Sequence, residues 1–209
     1  AVDYGVSVGD RTVVVTNNDD AYRTAITLKK LGLEIPAIID ARAGGGGALA
    51  GEAIELGIRV ENGKGIARVK GNKRVEAVEI CVQAGEGAAL ETIKCDAVAM
   101  SGGWSPVVHL WSHCGGKLLW DDEKAMFRPD VDNAPTGADG EGFVRCAGTA
   151  EGHLDLDDVL KSADAAGKAA AGATGHTPKR SKTPVGDNPR EAGIEPVWLM
   201  PQGAGVKLR

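Results

Sequence analysis

The sequence predicts an α/β fold: a parallel βαβαβ sheet with an antiparallel meander added to it. Three observations carry that expectation. Thr12–Thr16 and Ile35–Ile39 are short, β-branched apolar runs of strand length, and between them Ala21, Thr24, Ala25, Leu28 and Leu31 recur at helical spacing. From Gly65 to Lys94 the pattern changes to alternating apolar and polar residues broken by glycine turns. Glycine is abundant (30 of 209 residues) and aromatic residues are scarce (4%), which suits short strands joined by many tight turns.

The first strand, Thr12–Thr16, runs into the polar turn Thr16-Asn17-Asn18-Asp19, where Asp19 is placed to cap a helix. Gly32 stops that helix, and the second strand ends on Asp40. Strand, tight turn, helix, strand and acid make the outline of a dinucleotide-binding unit. Such a unit keeps three glycines in its first turn: one to make the turn, one to admit the pyrophosphate, one to pack helix on strand. The positions here are Thr16, Asn18 and Ala21. Ala21 is an ordinary substitute, but Thr16 and Asn18 put side chains where phosphates would lie. Asp19 and Asp20 add negative charge at a helix end that otherwise attracts anions. The turn is therefore expected to be architectural and to hold no pyrophosphate. The same expectation extends to Asp40, at the place of the ribose-binding acid.

Gly44–Gly47 is expected to be a flexible surface loop, because no Lys-Ser/Thr follows the glycines. A short helix over Ala48–Leu56 and a third parallel strand over Ile58–Glu61 complete βαβαβ. Gly65–Val69, Arg74–Val82 and Leu90–Lys94 form the meander, covering one side of the parallel sheet. Asp96–Met100 is a further strand. It runs into Ser101-Gly102-Gly103-Trp104-Ser105-Pro106, and Pro106 opens a helix over Val107–His113. Leu118–Trp120 and the Phe127 region are hairpin pieces. Phe143–Ala147 is read as the last strand, followed by the turn Gly148–Gly152 and a long helix marked by Leu156, Val159, Leu160, Ala163 and Ala170. From Gly175 the chain is rich in Pro, Gly and Lys without periodicity. Thr177–Arg209 is expected to be disordered or ordered only by packing on neighbouring protein, anchored by Val197-Trp198-Leu199.

A net charge of -5 argues against nucleic acid or an anionic membrane as partner. No apolar run reaches membrane-spanning length, and no charged n-region followed by an apolar h-region stands in the sequence. Cys81, Cys95, Cys114 and Cys146 lack CxxC spacing and suggest reduced, mostly buried thiols of a cytoplasmic protein. The chain opens mid-element with no initiator Met, as expected of a fragment of something longer.

Two turns are candidates for cofactor contact. At Gly148–Gly152, backbone N–H groups at the start of the Leu154–Ala171 helix are expected to face a nucleotide, which singles out Gly148, Thr149, Ala150, Leu154 and Leu156; the alternative is a merely structural turn. At Ser101, Gly102 and Gly103, glycine allows backbone to approach a ligand and Trp104 shields it. The alternative for this second turn is a domain junction with Trp104 in a core. His109 and His113 share a helix face near Cys114, but nothing nearby supplies the further ligands of a metal site. No metal is expected there, and a packed helix at a domain interface is. Ser-His-Asp, paired-carboxylate and redox CxxC arrangements are absent, so no catalytic residue is assigned.

The order of elements resembles that of two-dinucleotide-binding-domain flavoproteins related to glutathione reductase. That resemblance implies a connector at 1–8, an inserted Rossmann-like domain at 9–94, the C-terminal part of an outer NAD-binding domain at 95–175, and a linker at 176–209. The strings VVVTNNDDAYRTA, IIDAR, CDAVAMSGGWSPVVHLWSHCGGKLLWD and EPVWLMP, spread over about Gly9 to Pro201, are similar to α subunits of heterotetrameric sarcosine oxidases. Membership would imply oxidative demethylation of sarcosine to glycine, with peroxide and 5,10-methylenetetrahydrofolate formed. It would also imply β, γ and δ subunits as partners and an aminomethyltransferase-like domain after this region. NAD would lie in a partial site here, while FAD and FMN would belong to the whole complex. In flavoprotein relatives Gly148 would precede an acid that binds flavin; Thr149 stands there instead, as fits an NAD binder. Two other readings are an NADH-dependent flavin or disulfide oxidoreductase, which needs an intact glycine turn and a cysteine pair, and a non-enzymatic interaction module.

Overall fold

A computed structural model describes residues 1–178, 182–183, 185–186 and 193–194. The chain divides into two compact units. The first is Ala1–Gly103 joined by the later segment that contains Gly193 and Ile194, and the second begins at Trp104.

In chain order the first unit comprises β1 (Thr12–Thr16), α1 (Asp20–Lys30), β2 (Ala37–Asp40), α2 (Gly47–Glu55), β3 (Arg59–Asn62), β4 (Lys64–Lys70), β5 (Ala77–Val82), β6 (Glu91–Lys94) and β7 (Ala97–Ser101). Strands β3-β2-β1-β7 form one parallel sheet, with Val14 opposite Ile38 on one side and Ala99 on the other. Strands β4-β5-β6 form the antiparallel meander. Successive strand residues point to opposite faces, and both faces are buried. Val13, Val15, Ala37 and Ile39 pack with Ile66, Val78, Ile80 and Ile93 of the meander. Val14 and Ile38 pack with Ala21, Tyr22, Ala25 and Ile26 of α1 and Ala53 of α2. Each large apolar side chain so buried contributes about 1.5–3 kcal/mol, which makes this three-layer core the framework for the turns above it. The expected strand–helix–strand order and the meander are all present, with ends shifted by a few residues.

Three details differ from the sequence expectation. Asp19 stands at the N-cap of α1 but makes no side-chain capping bond, because its carboxylate is engaged elsewhere, as described below. Gly45 and Gly46 are buried, not part of a loose surface loop. A Cβ on Gly46, whose φ is 84°, would stand 2.5 Å from Tyr22 Cζ, so only glycine lets the loop close on that ring. Finally, β7 lies beyond the expected boundary at 94/95. It nonetheless pairs with β1 over five residues, and the first unit continues to Gly103.

The second unit contains α3 (His109–His113), the hairpin β8 (Leu118–Asp121) and β9 (Met126–Pro129), and α4 (Leu156–Ala173). Trp120 and Phe127 meet edge to face at 5.0 Å across the hairpin, and Trp111 Nε1 donates to Lys117 O at 2.8 Å. Helix α3 starts two residues later than expected. Phe143–Ala147 is not a strand: its neighbour Gly142 makes an isolated bridge with Thr136, and Gly148–Glu151 follow as a 3₁₀ turn. Trp104 is 51% exposed, so it is not a core residue. No helix among the described residues is long and apolar enough to cross a membrane. The expected anchor Val197-Trp198-Leu199, with most of the expected disordered tail, lies outside the described residues.

Candidate functional site

A doubly wound sheet binds ligands beyond the carboxyl ends of its strands, at the point where the strand order reverses. Here the chain leaves β1 over α1 towards β2 on one side, while β7 returns on the other. The switch point therefore lies between the ends of β1 and β7. That crevice is filled by the chain itself. Thr16, Asn17 and Asn18 are each 0% exposed. Thr16 Oγ1 turns back and accepts from Asn18 N at 3.1 Å. Asn18 Nδ2 donates to Ser101 Oγ at 2.9 Å and to Ser101 O at 3.3 Å. Asn17 Nδ2 donates to Gly102 O at 3.2 Å. The two asparagine side chains thus stitch the end of β1 to the end of β7. Gly103, with φ of 98°, completes the turn beside Asn17.

Next to this seam lies a buried ionic cluster. Asp40 Oδ1 accepts from Arg42 N at 2.9 Å and Arg42 Nε at 3.0 Å, and its Oδ2 accepts from Arg42 Nη2 and Tyr22 OH, both at 2.8 Å. Arg42 Nη2 also meets Asp19 Oδ1 at 2.8 Å, and Gly46 N donates to the same oxygen at 3.2 Å. Burial works against the guanidinium charge of Arg42, but the hydrogen bonds and charges of Asp40 and then Asp19 outweigh it and raise its pKa further. Burial, reinforced by the Asp40 carboxylate, pushes the Tyr22 hydroxyl well up, so it remains a donor. Asp40, at the place of the ribose-binding acid, has both oxygens occupied by protein donors. The residues of the first unit therefore do not fit a dinucleotide. The sequence marked Thr16, Asn18 and Asp40 as departures or orphans, but Tyr22 and Arg42 went unnoticed. The available signals were an arginine two residues after the strand-ending acid and a glycine pair beyond it.

The other candidates lie in the second unit. Gly148 is buried with φ of 60°, and its N–H donates to Ser162 Oγ of α4 at 2.9 Å. The Ser162 hydroxyl donates in turn to Glu151, and Lys124 Nζ donates to Gly152 O at 2.8 Å. The turn is thus tied to its own helix. Thr149 is exposed, Ala150 and Leu154 are half-buried, and Leu156 is 41% exposed. The two candidate groups, Ser101–Gly103 and Gly148–Leu156, belong to different units. His109 and His113 are exposed, and α3 buries only Trp111. Among the described residues no group of three or more His, Cys, Asp or Glu side chains is arranged to hold a metal. All four cysteines are free. Burial pushes the Cys81, Cys95 and Cys146 thiols up, away from the reactive thiolate.

Comparison with known proteins decides the relationship. The chain is 34% identical over 207 residues to the sarcosine oxidase α subunit of Corynebacterium sp. strain P-1, an alignment that takes in 95% of this chain. It is 32% identical over 212 residues to that of Corynebacterium sp. strain U-96, and 37% identical over 124 residues to that of Rhizobium meliloti strain 1021. The chain is homologous to part of the sarcosine oxidase α subunit. It spans about a fifth (20%) of the length of the two Corynebacterium relatives. No family model matches it. Among solved structures it is similar to an FAD-dependent pyridine nucleotide-disulphide oxidoreductase from Desulfovibrio vulgaris, with TM-score 0.50 and 16% identity over 86% of this chain and 46% of that one. It is similar to histamine dehydrogenase from Rhizobium sp. 4-9 with TM-score 0.50 and 17% identity, over 88% of this chain and 27% of the other. These likenesses show the fold alone, an α/β arrangement of the glutathione-reductase-like type.

Proposed function

We propose that this chain is the nucleotide-fold scaffold of the α subunit of a sarcosine oxidase complex, which converts sarcosine to glycine with release of peroxide and formation of 5,10-methylenetetrahydrofolate. The observation that carries this reading is the similarity to two sarcosine oxidase α subunits over 95% and 97% of the chain. In this reading the chain itself supplies no catalytic residue. The first unit serves as a scaffold, because Thr16, Asn18 and the Asp40–Arg42 pair fill the space a dinucleotide would occupy. NAD is contacted instead through the second unit, at Gly148, Thr149, Ala150, Leu154 and Leu156, while Ser101–Gly103, whose atoms are engaged by Asn17 and Asn18, is left to the scaffold. Gly148 N–H is committed to Ser162, so the contact is made by the accessible Thr149, Ala150 and Leu154. FAD and FMN are held by the whole complex.

The second unit supports a place within larger protein. It buries Trp111, Ala125 and Met126 but exposes Val107, Leu110, Trp120, Phe127 and Phe143. That much apolar surface belongs against the rest of the α chain or the β, γ and δ subunits. The test is Thr149→Glu in the full assembly, which places a bulky charge at the contact. NAD content after gel filtration is expected to fall below stoichiometric while sarcosine oxidation at the flavin is little changed. Stoichiometric NAD in the variant assembly would remove Gly148–Leu156 as a contact.

A further inference from the structure

The crevice at the switch point of the first unit is closed from two sides, and the second closure comes from far along the chain. Gly193 O accepts from Arg42 Nη1 at 3.3 Å, across 151 residues of sequence. Ile194 is only 8% exposed. A Cβ on Gly103 would stand 3.7 Å from Ile194 Cγ2, which is ordinary van der Waals contact. Arg42 lies two residues beyond the end of β2, and Gly103 two residues beyond the end of β7. In the order β3-β2-β1-β7, a segment touching both must cross the end of β1, where Thr16, Asn17 and Asn18 sit.

We propose that the former nucleotide crevice of the first unit is a docking seat for the chain's own Gly193–Ile194 segment. Arg42 is the polar contact and the backbone at Gly103 the apolar one. A mononucleotide unit is suited to this role once its phosphate turn is filled. It presents a rigid concave surface at the strand ends, and here Asn17 and Asn18 complete its floor by bonding Ser101 and Gly102. The glycine at 103 is part of the fit, since its φ of 98° suits glycine and a Cβ there would stand 3.2 Å from Asn17 Nδ2. The segment occupies the place a dinucleotide would take. This inference is independent of the cofactor reading above, because it concerns the first unit and its test does not depend on NAD or on activity.

The test is hydrogen–deuterium exchange of the 209-residue chain carrying Ile194→Asp, with Ile194→Ala as a milder variant. The exposed Val185→Asp is the control. In Ile194→Asp, peptides covering residues 16–22 and 101–105 are expected to exchange about tenfold faster, as for loss of a local protecting contact. Ile194→Ala should move the same peptides less, and Val185→Asp should move neither. Strands β1 and β2 should keep their slow exchange throughout. Unchanged exchange at 16–22 and 101–105 in Ile194→Asp would overturn the proposal. So would equal acceleration of the core strands in both Ile194 variants, because the segment would then not act locally.

Discussion

Arg42 holds three separate pieces of backbone through one guanidinium: the end of β2 through Asp40, the start of α1 through Asp19, and Gly193 through its carbonyl. Removing one partner of a buried ionic group leaves the others uncompensated, which costs far more than the group contributes net. Arg42→Met should therefore destabilise the chain by about 3–5 kcal/mol in urea denaturation. Tyr22→Phe removes one of several donors to Asp40 and should cost only about 0.5–1.5 kcal/mol. If the two variants were equally stable, the cluster would not be the lock described here. The blocked phosphate turn was legible in the sequence, because Thr16 and Asn18 occupy positions that a pyrophosphate needs as glycine. The lock was not, because Asp19 looks like an ordinary N-cap and Gly44–Gly47 like an ordinary loop. Only the fold shows that Arg42 draws the Asp19 carboxylate away from the helix N–H groups and that Tyr22 draws the glycines inward.

Among elements, the seam between β1 and β7 depends on Asn18 more than on its neighbours, since its amide bonds both Ser101 atoms. Asn18→Ala leaves the half-buried carbonyl and hydroxyl of Ser101 short of a donor and should cost about 0.5–1.5 kcal/mol in the same denaturation assay. A loss within error would mean that the strand ladder alone joins β7 to the sheet. At the rims of the first unit, hydrogen bonds hold several carboxylates low: Glu91 through Arg59, Glu79 through Lys70, and Asp96 through the N–H groups of Arg11 and Asp10. Their folded pKa values lie below the unfolded ones, so their contribution is complete above an ordinary carboxylate pKa of about 4 and is lost as pH falls through the folded values. The urea midpoint should drop between pH 5 and pH 3, by less in the double variant Glu91→Gln/Asp96→Asn. An equal drop in both would assign the acid sensitivity to other groups. Apolar periodicity was enough to find β1–β6 and α4, whose faces it describes directly. It misplaced Phe143–Ala147, an apolar run around Arg145 that pairs with no strand among the described residues, and it began α3 too early, at Val107.

At the scale of the whole molecule, the first unit has two well-packed core layers, while the second exposes many of its large apolar side chains. The first should accordingly melt as a cooperative block, and the second should gain most from the surrounding subunit. The order of elements showed the fold type early. The boundary between units was harder to see, because β7 follows a complete meander in sequence yet belongs to the first sheet. The purified 209-residue chain should be colourless and release no peroxide from sarcosine. Flavin absorbance bands or peroxide would locate chemistry where no reactive constellation is found among the described residues. The most direct test of the filled crevice is an amide-resolved NMR titration of this chain with NAD. The account predicts that the amides of Asn17–Asp20, Gly45 and Gly46 stay unmoved into the millimolar range. A saturable shift of those amides before any others would contradict it.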